Sequence, residues 1–131
     1  MSLDAVQANI SLNHLEIKSR DPKRLAKFYS NVMDMKINML KNKKFLCEGP
    51  GRKIIIKTGE NNTLGYAGMV CKNEENLERY KEFLKINKCE INDFVSEFYQ
   101  SGSFSLQDPD NNMICFGVQK KENNFYTKSC L

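Results

Sequence analysis

The sequence has no long apolar run, no CxxC pair and only one histidine, and each shortage removes a class of protein. Its apolar stretches are a few residues long, against the roughly 20 that a membrane-crossing helix needs. Residues 1–9 lack the charged start and apolar stretch of a secretory signal. The expectation is a soluble, cytoplasmic protein with no membrane partner. The cysteines are five: Cys47, Cys71, Cys89, Cys115 and Cys130. An odd number without CxxC spacing argues against a disulfide scaffold or a structural zinc site. Free thiols inside apolar runs behave as small hydrophobes and suit a reducing compartment.

Charge of either sign is also modest, with a formal net of +4. The densest basic cluster is Lys41, Lys43 and Lys44, with Arg52 and Lys53 nearby. No aromatic residues interleave with these lysines, as they would on a single-strand nucleic-acid platform. The cluster reads as a solvated hairpin turn, and no nucleic-acid partner is expected.

What is present is enough for one domain. The chain has 131 residues, 40% of them hydrophobic, which is the size and content of an ordinary globular unit. Residues 10–17 alternate with period two, so Leu15 and Ile17 face one way and His14 and Glu16 the other. Asp21-Pro22 then reads as an N-cap followed by proline at the first helical position. Leu25, Phe28, Tyr29, Val32 and Met33 supply the stripe of an amphipathic helix. Three strand-like pieces follow, at 36–40, 44–48 and 53–58, with Gly49-Pro50-Gly51 turning between the last two.

After the polar stretch 59–63 the order repeats. A strand at 66–71 leads through Asn73 to a helix whose apolar face is Leu77, Tyr80, Phe83 and Leu84. Strand-like pieces follow near 89–91, 104–107 and 113–118, and Asp108-Pro109-Asp110-Asn111-Asn112 is a strong turn. A shift of 52 residues superimposes Leu15 on Ala67, Ile17 on Met69, Asp21 on Asn73, and Leu25, Phe28 and Val32 on Leu77, Tyr80 and Leu84. Two copies are too few for a propeller or solenoid. The expected fold is α+β: two βαβββ modules forming a curled mixed sheet. Module one covers about residues 10–58 and module two about 65–118, with a polar tail at 119–131 in which Phe125 and Tyr126 are candidate docking aromatics.

On these residues the sequence resembles the vicinal-oxygen-chelate superfamily of glyoxalases, bleomycin-resistance proteins and extradiol dioxygenases. The likeness runs from about residue 10 to 118. It rests on His14-Leu15-Glu16-Ile17 with Asp21, Leu25, Phe28 and Tyr29, on the stretch from Tyr66 to Leu77, and on Asp108-Pro109-Asp110-Asn111-Asn112. The last is the most specific, since the superfamily commonly has Asp-Pro-Asp-Gly-Asn there.

The resemblance implies a ligand cup and, in the dioxygenase pattern, a divalent metal held by two histidines and a glutamate. Those places fall on His14, Tyr66 and Cys115, so only the first matches. A phenol is a poor ligand near neutral pH, and a thiolate turns preference from iron or manganese towards zinc or copper. The set favours a cup without metal that binds a small organic molecule, in the manner of the bleomycin-resistance type. The alternative is a metal-dependent extradiol dioxygenase-like or glyoxalase-like enzyme. His14 and Tyr66 are the candidate catalytic residues, the imidazole as a general base. Glu16, Tyr99 and Phe104 are candidate ligand contacts. Homodimerisation is expected from the resemblance.

Overall fold

The computed structural model describes residues 1–120 and the backbone of a strand at 126–129. In chain order the elements are β1 (Ser11–Ser19), α1 (Pro22–Met33), β2 (Lys36–Leu40), β3 (Phe45–Gly49), β4 (Arg52–Thr58), β5 (Thr63–Cys71), α2 (Glu74–Ile86), β6 (Asn92–Asp93), β7 (Phe104–Gln107), β8 (Met113–Val118) and β9 (Tyr126–Ser129). Strand, helix and three strands occur twice, from β1 to β4 and from β5 to β8, as the 52-residue shift requires. The chain packs as two compact units, His14–Tyr66 with β9, and Met1–Asn13 with residues 67–120.

In the His14–Tyr66 unit the strands run in the order β1-β4-β3-β2, with β9 antiparallel on β2. The first and last strands of the module pair in parallel, with Leu15 opposite Ile54 and Ile17 opposite Ile56. The other pairings, β4 with β3 and β3 with β2, are antiparallel. One face of these strands carries Ile17, Ile37, Phe45, Cys47, Ile54 and Ile56, which pack on Leu25, Ala26 and Tyr29 of α1. Asp21 caps α1 by accepting from the Arg24 backbone N–H at 3.3 Å, and Asp34 ends it in the left-handed region at φ 53°. The buried helix face is narrower than the stripe in the sequence. Phe28, Val32 and Met33 stay exposed, because the helix meets the sheet through the small side chain of Ala26 and the residues flanking it.

The second unit repeats the plan in the order β6-β7-β8-β5, with β5 and β8 parallel. Met69 lies opposite Phe116, the position that Ile17 and Ile56 hold in the first module. Its core joins Leu77, Tyr80 and Leu84 of α2 to Phe104, Phe116 and Cys71, and Ala8 packs in from the N-terminal segment. Asn73 caps α2 through the Asn76 N–H at 2.8 Å. After α2 the chain turns at Lys88, whose φ is 61°, while the Cys89 N–H returns to the Leu84 carbonyl. That turn displaces the strand expected at 89–91 to the two-residue β6 and leaves Cys89 exposed. Within the stretch read as a polar tail, Tyr126–Ser129 forms β9, and Phe125 lies outside the described residues.

Candidate functional site

The site begins with the two-residue period of β1. Leu15 and Ile17 belong to the helix-facing side, so His14 and Glu16 are carried on the other. His14 is 1% exposed and Tyr66 5% exposed. The imidazole Nε2 lies 2.8 Å from the Tyr66 hydroxyl, and the rings meet edge to face with centroids 5.3 Å apart. The two residues are 52 apart, the same interval that relates the two modules, so they occupy equivalent positions in the repeat. Desolvation by burial, with the positive charge of Lys53 as the lesser cause, lowers the His14 pKa to about 4. The imidazole is therefore neutral near pH 7. One partner of the His14–Tyr66 pair donates and the other accepts, in a sense fixed by the tautomer.

Glu16 is 3% exposed and is held by cations rather than left open. Lys44 Nζ approaches its Oε2 at 2.7 Å and Lys57 Nζ its Oε1 at 3.5 Å. A buried carboxylate needs such partners, because leaving it unpaired costs several kcal/mol. Lys44 thus leaves the solvated cluster read at the β2–β3 hairpin and reaches back to β1. Gly65 makes room for the carboxylate. A Cβ on Gly65 would run into Glu16 Oε1 and stand 3.0 Å from its Cγ.

Cys115 belongs to the other unit. It is fully buried on β8, opposite Gly68 on β5 and Ser105 on β7. Tyr99 lies over the same face, and its hydroxyl donates to the Met69 carbonyl at 2.9 Å. Burial, and then the neighbouring Cys115, push the Tyr99 phenol far above its ordinary pKa. Phe104 points the opposite way, into the α2 core, where it stacks on Phe116 with centroids 5.2 Å apart. Strand parity explains the difference: Phe104 pairs with Phe116, and Cys115 pairs with Ser105. The structure therefore brings His14, Tyr66 and Glu16 into one unit and places Tyr99 beside Cys115 in the other. The sequence reading missed Lys57 and Gly65. Lysines two residues either side of Ile55, on a strand whose parity follows Glu16, were the signal that could have found Lys57.

The Asp108 turn is built as its sequence suggests. The carboxylate accepts from the Asn112 backbone N–H at 2.8 Å, from the Asn112 side-chain amide at 3.1 Å and from the Asp110 N–H at 2.9 Å; these bonds, those of Asn112 foremost, hold its pKa below the ordinary value. Asn111 takes φ 66°, a conformation that asparagine tolerates and that glycine adopts most easily.

The two βαβββ modules, each with its first and last strands paired in parallel, give the architecture of a glyoxalase-type domain. A family-wide sequence comparison matches residues 11–116 to the Glyoxalase/Bleomycin resistance protein/Dioxygenase superfamily. The chain belongs to that superfamily. A search of the curated proteins finds no match. Among solved structures the chain is similar to a catechol 2,3-dioxygenase, with 16% identity, TM-score 0.70, and 89% of this chain covering 44% of that one. A homoprotocatechuate 2,3-dioxygenase from Arthrobacter globiformis gives 12% identity and TM-score 0.69 over 88% of this chain and 38% of the other. A hypothetical protein from Bacillus halodurans C-125 is matched over nearly its whole length: 16% identity, TM-score 0.62, 88% of this chain and 98% of that one. The chain thus spans less than half of the two dioxygenases, and at these identities the likeness is one of fold.

Oxygen-activating ferrous sites are usually two imidazoles and a carboxylate on one face. The residues here do not fit that set. Among the described residues no three His, Cys, Asp or Glu side chains come together to hold a metal. The imidazole nitrogen of His14 faces a phenol hydroxyl instead, and a phenol stays protonated near neutral pH. No helix among the described residues is long and apolar enough to cross a membrane.

Proposed function

We propose that this chain binds a small organic molecule on the sheet face that carries His14 and Tyr66, and that it does so without a metal. The observation behind the reading is the buried 2.8 Å contact between His14 Nε2 and the Tyr66 hydroxyl. It occupies one of the two ring nitrogens through which an imidazole can ligate a metal. A neutral imidazole and a phenol held together on one sheet face are the kind of few polar groups that orient a ligand in an otherwise apolar pocket. Tyr99 and Cys115 are read as packing residues of the other unit. The protein is proposed to act in the cytoplasm as a homodimer.

The test uses His14 as its own reporter, since it is the only histidine in the chain. A ligand seated there shifts the single set of imidazole NMR signals and raises the melting temperature, and Tyr66→Phe weakens both effects. Metal analysis of the purified protein supplies the opposite outcome. Iron or manganese at one per chain, lost in His14→Ala, would overturn the metal-free reading.

A second reading is a metal-dependent extradiol dioxygenase-like enzyme. What favours it is the fold likeness to two dioxygenases and the match of His14 to the family's first ligand position. Oxygen uptake with a catechol would support it. Catechols that produce neither oxygen uptake nor a yellow ring-cleavage product would end it.

A further inference from the structure

Within the His14–Tyr66 unit, the corner where β1 runs into α1 holds a cavity of about 390 Å³, a volume in the range of small-molecule sites. His14 and Tyr66 are not among the residues that line it. Lys18, Arg20 and Arg24 line it against a single acid, Asp21. Among the described residues no carboxylate pairs with any of these three cations. The Asp21 carboxylate is turned to the helix end, where it accepts from the Arg24 backbone N–H. Three positive charges and one negative leave the cavity a net of +2. Cations gathered in this way repel one another, and an anion bound among them removes that cost.

The walls are held by bonds within the chain. The Arg20 N–H donates to Asn61 Oδ1 at 2.8 Å, and the Gly59 N–H to the Ser19 carbonyl at 2.9 Å. Together they tie the turn after β4 to the end of β1. Gly59 also steers Lys18. A Cβ on Gly59 would stand 2.9 Å from both the Cβ and the Cδ of Lys18, so the lysine stem lies against bare backbone. Apolar surface comes from Leu25 and Phe28 of α1. Phe28 is 51% exposed, and it follows Arg24 by four residues, so the two share a helix face one turn apart. The ring that the sheet leaves uncovered thus borders a cationic cavity.

From this arrangement we infer that the cavity is a second binding site, for a small phosphate monoester that carries a flat aromatic group. Such an ester has close to two negative charges near pH 7, which balances the net of +2. Guanidinium forks take two phosphate oxygens at a time, and an ammonium adds a point charge. A carboxylate would balance only half of the excess. Phe28 offers a face on which an aryl ring or a nucleobase stacks. One such ring suits a single small molecule, since platforms for nucleic-acid strands set several aromatics along a groove. The site shares no lining residue with the His14–Tyr66 pair, so it stands or falls apart from the binding role proposed there.

The test uses the full chain with phenyl phosphate and adenosine monophosphate, compared with inorganic phosphate, phenol and adenosine. Isothermal titration calorimetry reads the affinities. The expected result is that at least one ester binds at one per chain, about ten-fold or more tightly than inorganic phosphate, phenol or adenosine. The better of the two esters tells a simple aryl phosphate from a nucleotide, and either supports the inference. Raising the salt weakens binding. Arg20→Gln and Arg24→Gln each weaken it about ten-fold, and Phe28→Ala about five-fold or more. All three side chains are exposed, and circular dichroism checks that the variants fold. Inorganic phosphate that binds as tightly as both esters would overturn the inference and leave an adventitious anion site only. Esters that fail to bind at millimolar concentration, or that bind a folded Arg20→Gln/Arg24→Gln protein unchanged, would overturn it as well. So would a tetrathymidylate strand that binds about ten-fold more tightly than either ester, which would make the partner a nucleic acid.

Discussion

Burial and the Lys53 ammonium give the His14 imidazole a pKa of about 4 in the folded chain, against a reference value of 6.5. Between those values the unfolded chain takes up a proton that the folded chain refuses. The stability this supplies is complete above pH 6.5 and is lost as the pH falls towards 4. At 1.4 kcal/mol per pH unit the loss by pH 4.5 is about 2–3 kcal/mol. Urea unfolding of wild type and His14→Gln at pH 7 and pH 4.5 isolates it, because the carboxylates common to both proteins cancel. The wild type should lose about 2 kcal/mol more than the variant over that range. Equal losses would mean that the ring takes up its proton without strain. Gly65 gives a second residue-scale expectation. Its missing Cβ is the space used by the Glu16 carboxylate, so Gly65→Ala should cost about 1–3 kcal/mol through overpacking. Much of that cost should vanish in a Glu16→Ala background, measured as a double-mutant cycle. The side on which His14 stands was legible in the sequence because a strand's period fixes which way a side chain points, whereas Tyr66 was reached only through the family resemblance. The lysines that neutralise Glu16 were not, because β3 and β4 reach β1 only through sheet pairing.

At the scale of elements, the segment before β7 decides what the second unit's sheet face can hold. Tyr99 bridges to Gln119 and the Gln100 N–H bonds the Val118 carbonyl, so this segment lies along β8. The Tyr99 ring rests on Gly117, where an added Cβ would stand 2.9 Å from the Tyr99 Cβ and closer still to its ring. Gly117→Ala should therefore cost about 2–3 kcal/mol in thermal or urea unfolding. Combining it with Tyr99→Leu should cost less than the sum of the two single changes. Additive losses would place the ring elsewhere. The helices were more legible than this segment. Asp21-Pro22 and Asn73 are local start signals, and both caps form. The extent of the buried face of α1 was not legible, since Phe28, Val32 and Met33 satisfy the helical period yet remain exposed. Periodicity says where an apolar stripe runs but not how much of it a sheet will cover.

For the whole molecule, the two modules share a plan in which the first and last strands pair in parallel. The proposed homodimer makes a direct expectation. Light scattering coupled to size-exclusion chromatography should give twice the 15.2 kDa of one chain, and a mass of one chain at micromolar concentration would refute it. By itself the sequence determined the repeat, both helix starts, the Asp108 turn and the face on which His14 stands. All of these are set by contacts within a few residues or by a period of two or 3.6. Only the tertiary structure decided that His14 meets Tyr66, that Glu16 is locked between Lys44 and Lys57, and that Phe104 turns into the core. Those outcomes depend on which strands pair and in what register, and register is settled by packing between segments that lie far apart in the chain.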